Sequence, residues 1–304
     1  MPLPKKRKES KKPFVVGFVV TVVVLFSLAF GLLFYSPPLT VTHISGPIPE
    51  YNPMWAKYVP GSAIQFGFEN YTAIRAYNSS YPTQYTILLN IIDLNVSLPK
   101  TNINSVLSVT LTKPNESVAF AFVNGAAWNN FTSAAEKTKY AATYVGNDSL
   151  FYVRNAERGT FQYGWLALVP ADHAVAFALG DAQAKAALQI VLQTTQADSL
   201  LSKQSVRTML YLVNGTDHLA VGNQGFPGVI SQANSTLTVV DDTGSQVLIR
   251  RVLAFGSTDT AVSQYNTVRQ NYLNSRIFGV YDSFVKATEY EAQNDLVGAI
   301  RLVE

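Results

Sequence analysis

The chain has 304 residues, 23 Lys plus Arg against 20 Asp plus Glu, and no cysteine. Without cysteine, thiol catalysis, thiolate metal sites and disulfide staples are excluded. The formal charge of +3 comes from the first twelve residues, so the basic balance is no argument for a nucleic-acid-binding domain.

That basic tail, residues 1–12, holds Lys5, Lys6, Arg7, Lys8, Lys11 and Lys12 against Glu9 alone. From Phe14 to Tyr35 there is no charged residue, and these 22 positions at helical rise would extend about 33 Å, the span of a bilayer's hydrocarbon core. The pattern predicts an uncleaved transmembrane signal anchor over 13–35, because a secretory signal peptide has a shorter apolar region. Cationic flanks stay cytoplasmic, so the N-terminus is expected inside and everything after Tyr35 outside. The tail is then a topology determinant that also favours anionic headgroups. Within the apolar run, Ser27 and Gly31 have the small-xxx-small spacing that aids self-association, which leaves a homo-oligomer open.

Residues 36–60 are crowded with Pro37, Pro38, Pro47, Pro49, Pro53 and Pro60. Proline fixes φ and removes a donor, so the stretch reads as an extended stalk, with Tyr51, Trp55 and Tyr58 packing on the domain that follows. Past it, short runs rich in β-branched and aromatic residues predict strands over 63–68, 105–112, 117–123, 149–155, 164–169, 174–179, 235–240 and 245–255. VPADHAV and VVDDTGSQV read as tight turns between paired strands. Helices are expected from Asp181, behind Gly180, and over 258–273 behind Ser257 or Thr258 as cap. A shorter one is expected over 130–142, where Ser133 and Glu136 have capping-box spacing.

FAFVNG, VAFALG and VLAFG each end a strand in Ala-Phe and a glycine ahead of a helical segment, a weak internal repeat. None has a phosphate-loop pattern, so turn geometry accounts for the glycines. The expected fold class is α+β: one N-terminal transmembrane helix, then an ectodomain of antiparallel sheets with helices on one face. Two related lobes, 61–196 and 197–304, are part of that expectation.

Eight Asn-X-Ser/Thr sequons lie in the ectodomain, at Asn70, Asn78, Asn95, Asn115, Asn130, Asn147, Asn214 and Asn234. If the domain is outside, these are glycosylation acceptors, and the sequon-free last seventy residues are a face left for packing or a partner. His43, His173 and His218 lack metal-ligand spacing, and no cofactor motif occurs. Asp172 beside His173 and Asp217 beside His218 read as turn residues. Asp242-Thr243-Gly244-Ser245, with Leu296-Val297-Gly298 downstream, resembles the aspartic proteases of retroviral type. That resemblance implies Asp242 as the catalytic carboxylate of a homodimer. An Asp-Asp-Thr-Gly hairpin turn is the competing reading.

In its signal anchor, missing cysteine, abundant sequons and Tyr- and Thr-rich strands, the chain resembles uncharacterised archaeal single-pass surface glycoproteins. The resemblance implies a location, not an activity. The expected function is a membrane-anchored extracytoplasmic glycoprotein with a binding, scaffolding or envelope-assembly role, leaning away from enzyme. The alternatives are the Asp242 hydrolase and an accessory subunit of a larger membrane complex. The expected partners are the lipid bilayer and other membrane or envelope proteins, with no nucleic acid.

Overall fold

The computed structural model describes residues 39–49, 53–77, 87–138, 142–157, 160–213, 218–223, 232–292 and 296–300. The basic tail, the apolar run over 13–35 and the sequons at Asn78 and Asn214 lie outside them. Two compact units divide the chain at Thr40, and the unit from Val41 onward contains one extended sheet.

Its strands are β1 (Val41–Thr42), β2 (Ala63–Glu69), β3 (Ile87–Ile91), β4 (Val96–Pro99), β5 (Ile103–Leu111), β6 (Ser117–Val123), β7 (Thr143–Val145), β8 (Asp148–Glu157), β9 (Thr160–Val169), β10 (Ala174–Leu179), β11 (Ala220–Gly222), β12 (Ser235–Asp242), β13 (Gln246–Ala254), β14 (Ile277–Tyr281) and β15 (Phe284–Ala292). Across the sheet they run β1-β14-β15-β13-β12-β11-β2-β5-β6-β10-β9-β8-β3-β4, with β7 beside β8. Neighbours are antiparallel except β1 and β14, which makes the sheet mixed.

Side chains alternate across a strand, and the central strands are apolar on both sides. In β6, Val118, Phe120 and Phe122 enter one core cluster while Ala121 and Val123 enter another. In β10, Ala174, Ala176 and Ala178 face the first cluster and Val175 and Phe177 the second. A sheet of this kind needs a layer on each face. Helices α3 (Ala182–Gln193) and α4 (Gln204–Val213) cover the first, through Ala184, Leu188 and Val191, and through Val206, Met209 and Val213. On the second lie α1 (Tyr71–Tyr77), α2 (Gly125–Lys137) and α6 (Leu296–Ile300), contributing Ile74, Phe131 and Ile300. Helix α5 (Thr258–Asn271) packs on β14 and β15 and buries Ala261 and Val268.

The expected fold class is therefore corrected. One large mixed sheet carries helices on both faces, in place of antiparallel sheets with helices on one face. No helix among the described residues is long and apolar enough to cross a membrane. Nor are there two lobes with separate cores: the first cluster joins Phe120 to Val252, and the second joins Phe131 to Ile249.

The internal repeat has a counterpart within the single sheet. Hairpin β5-β6 is followed by α2 and by strands that return β10 beside β6; hairpin β12-β13 is followed by α5 and by β14 and β15, which return beside β13. FAFVNG, VAFALG and VLAFG close β6, β10 and β13 and precede α2, α3 and α5.

Local starts follow capping chemistry. Ser257 accepts from Thr260 N at 3.2 Å to open α5. Asn124 does the same for α2, accepting from Ala127 N at 3.0 Å, so that helix starts earlier than expected and Ser133 and Glu136 lie inside it. Asp181 stands at the N-cap of α3 without a side-chain cap bond.

The proline-rich segment is folded in by its C-terminal part. Met54–Tyr58 forms a 3-10 turn, Trp55 stacks on Phe66 and Phe68 at 5.4 and 5.2 Å, and Tyr58 stacks on Phe120 at 4.7 Å. Ring pairs of this geometry add about 0.5–1.5 kcal/mol each beyond burial.

Candidate functional site

Asp242 ends β12 in an exposed turn, where its Oδ1 accepts from Gly244 N at 2.5 Å. Thr243 N donates to Gln246 O at 3.0 Å, and Gly244 has φ +82°, which favours glycine. Leu296, Val297 and Gly298 lie in α6. The inward carboxylate is the neighbouring Asp241: its Oδ1 lies 2.6 Å from His218 Nδ1, and its Oδ2 accepts from Arg250. All three side chains are largely shielded from solvent. Lys286, beside Arg250, donates to Leu212 O at 2.5 Å, and burial first, then the Arg250 charge, lowers its pKa. This network ties β12, β13 and β15 to α4. Asp217 lies outside the described residues.

Asp172 and His173 share a turn but serve different layers. The His173 ring stacks on Trp128 of α2 at 5.2 Å, whereas Asp172 reaches the Met54–Tyr58 turn. There Lys57 Nζ stands 2.5 Å from Asp172 Oδ2, and Tyr58 Oη donates to the same oxygen. Burial, then the hydrogen bond to Asp172, then the charges of Asp172 and Asp148 push the Tyr58 phenol far up. Asp148 is raised by burial and by Asp172, with Lys57 opposing. Tyr58 is thus a fixed hydrogen-bond donor that stays protonated at any physiological pH. At the chain's start, His43 Nδ1 lies 2.8 Å from Asp282, whose carboxylate is lowered by Ile44 N–H and His43.

Three hollows stand out among the described residues. The largest, about 800 Å³, lies between the Met54–Tyr58 turn and the connection from α3 to α4; Lys57, Gln196, Ser199, Leu201 and Arg207 help to line it. A second, about 460 Å³, borders Ile44, Gln204 and Asp282 and shares Arg207 with the first. The third, about 570 Å³, is lined by Arg251, Tyr272, Asn274, Glu289 and Glu291. In it Arg251 Nη1 is 2.6 Å from Glu289 Oε2 and its guanidinium lies over the Tyr272 ring at 5.1 Å.

Arg207 differs from the other inward-turned arginines. Arg75 binds Lys100 O and Ile103 O at 3.1 and 2.8 Å, and Arg154 binds Asp93 through Nε and Nη2 at 2.9 and 2.7 Å. Arg250 has a shielded Nε but is held by Asp241, whereas the Arg207 side chain, with Nε likewise shielded, has no ion pair among the described residues.

A row of aromatic side chains stands out on the surface. Tyr152 of β8 is 41% exposed, and Phe161 and Tyr163 of β9 are 64% and 54% exposed. Phe161, Tyr163 and Trp165 alternate along β9, so they share one face. Tyr152 stacks on Tyr163 at 5.7 Å and tilts against Trp165 at 5.3 Å, and Lys185 Nζ sits 4.4 Å from the Trp165 ring centre. The stripe could be read from TFQYGWLALV as alternation. The Arg207 hollow could not, because its walls come from segments some 150 positions apart.

No protein-family model matches the chain, and no curated protein matches it. Among solved structures, crystal form I of TP0453 is 11% identical over 83% of this chain and 98% of that one, with a TM-score of 0.45. Crystal form III of TP0453 is 12% identical over 81% of this chain and 96% of that one, also with a TM-score of 0.45. A likeness this loose carries neither fold nor function from one protein to the other.

Proposed function

We propose that the chain is a membrane-anchored extracytoplasmic glycoprotein with a binding or envelope-assembly role. The observation that carries this reading is the exposed aromatic stripe of Tyr152, Phe161 and Tyr163. Aromatic side chains offer large apolar area with few rotamers, and a contiguous exposed set marks a contact surface. It lies in the sequon-bearing part of the chain, not in the sequon-free C-terminal region. The apolar run after the basic tail supplies the anchor, and its flank sets the direction. Asn95, Asn115, Asn130, Asn147 and Asn234 are exposed, as acceptors must be, while Asn70 is half-buried and caps α1 by accepting from Ala73 N at 3.1 Å.

The test is made on intact cells producing the full chain. Externally added protease should cleave the folded unit, and a photo-crosslinking residue at position 163 should capture one envelope component. That product should be lost with Tyr152→Ser and should not form from position 273, which is exposed but lies off the stripe. Cleavage only after lysis would remove the location. Equal capture from both positions would remove the stripe as the contact.

A further inference from the structure

The geometry points to a ligand site at Arg207 for a small amphipathic monoanion, an apolar body ending in a carboxylate. Pro53, Met54, Ala56 and Leu201 give the 800 Å³ hollow apolar walls. A volume of that order, with apolar walls beside polar groups, lies in the range of small-molecule sites.

Apart from the Gln196 amide and Arg207, the polar side chains of the lining are engaged. The hydroxyls of Thr194, Ser199 and Ser202 each donate to a backbone carbonyl at 2.8 Å, and Thr195 donates to Asp198 at 2.6 Å. They can only accept. Lys57 is held by Asp172. Among the described residues Arg207 is left as a cation without an ion pair; its Nε is shielded from solvent, so a ligand in the hollow would meet the Nη groups. A guanidinium binds a carboxylate through two parallel N–H bonds, which the two Nη groups can supply.

Charge selects both the side of entry and the ligand. Arg207 also borders the smaller hollow, but Asp282 lies there, and its negative charge disfavours an anion. The carboxylate therefore enters from the larger one. One available cation balances one negative charge, which favours a carboxylate over a phosphate dianion.

The experiment is calorimetric titration of the full chain in lipid nanodiscs with phenylbutyrate, phenylbutanol and inorganic phosphate. Phenylbutyrate should bind at least about tenfold more tightly than phenylbutanol, the margin of a charge-assisted hydrogen bond. Arg207→Met should erase that preference and Arg207→Lys should keep part of it. Equal binding of acid and alcohol to the wild-type protein, or no binding of either, overturns the site without recourse to a variant. Inorganic phosphate matching phenylbutyrate overturns the amphipathic part. Neither result bears on the aromatic stripe, which lies on another hairpin.

Discussion

Arg251 on β13 and Arg207 on α4 are both drawn inward, and their surroundings differ in one respect. Arg251 is 6% exposed, ends 2.6 Å from Glu289 and lies over the Tyr272 ring; Arg207 is half-buried, borders two hollows and has no counter-charge among the described residues. A buried cation that already has its counter-charge has little to offer a ligand. One that lacks it is either an unrelieved cost to the fold or the fixed half of an interaction completed from outside. Position on a sheet or a helix does not separate the two cases. The partner does.

The largest effect should come from the paired member. Arg251→Met would leave Glu289 buried without its cation, and breaking one side of such a pair costs about 3–5 kcal/mol. Urea unfolding should show this as a lower midpoint with an unchanged slope. The double change Arg251→Met with Glu289→Leu should recover much of the loss, since an apolar pair carries no desolvation penalty. A single variant as stable as wild type would mean that the pair does not hold β13 and β15 together.

A second contrast lies in pH. Burial raises Glu289, but a hydrogen bond shared with Glu291, the hydrogen bond and charge of Arg251 and the hydrogen bond with Asn274 outweigh it and hold the carboxyl below the usual glutamate range. With the folded value lowered, the native state binds fewer protons than the unfolded chain. The resulting stability is present above the unfolded glutamate pKa and is lost as pH falls through the folded one. Glu289→Gln should flatten that acid limb of the stability curve, and an acid limb identical to wild type would show that the hydrogen bonds do not act on the ionised form. Arg207, with no carboxylate partner, should give no such limb when replaced.

Much of the sheet was legible because its strands alternate or run apolar. β5, β6, β8, β9, β10, β12 and β13 all fall on runs the pattern picks out, and Ser257 opens α5 as its type suggests. The pair β14 and β15 was not. Its charged Lys286, Glu289 and Glu291 interrupt the apolar and aromatic run, and its pairing is fixed by Phe284–Ala292, which lies against Gln246–Ala254 residue for residue. Helices on both faces were missed for a related reason: the doubly apolar β6 and β10 state that both sides are covered but not by what. At the sites, alternation alone does not separate Asp241 from Asp242. Val239 and Asp241 share the face of the first cluster, Val240 and Asp242 that of the second, and Asp242 is exposed because β12 ends there. Arg207 gave no signal, since QSVRTMLYLV shows an arginine at an ordinary helix position and only the fold brings the Met54–Tyr58 turn across from it.

The smallest effect belongs to the unpaired member and is the most discriminating. Without ligand, Arg207→Met removes no side-chain hydrogen bond or ion pair among the described residues, and its stem is replaced by one of similar apolar length. Stability should stay within about 0.5 kcal/mol of wild type, the range for substitutions that break no specific interaction. A small gain would fit equally, because a shielded donor without an acceptor weakens the fold. A loss of about 1.5 kcal/mol or more in the same urea measurement would place Arg207 with Arg251 as a structural cation, and the contrast between them would fall. Together with the titration, the result separates a cation kept for the fold from one kept for a ligand, since only the second is silent in stability and decisive in binding.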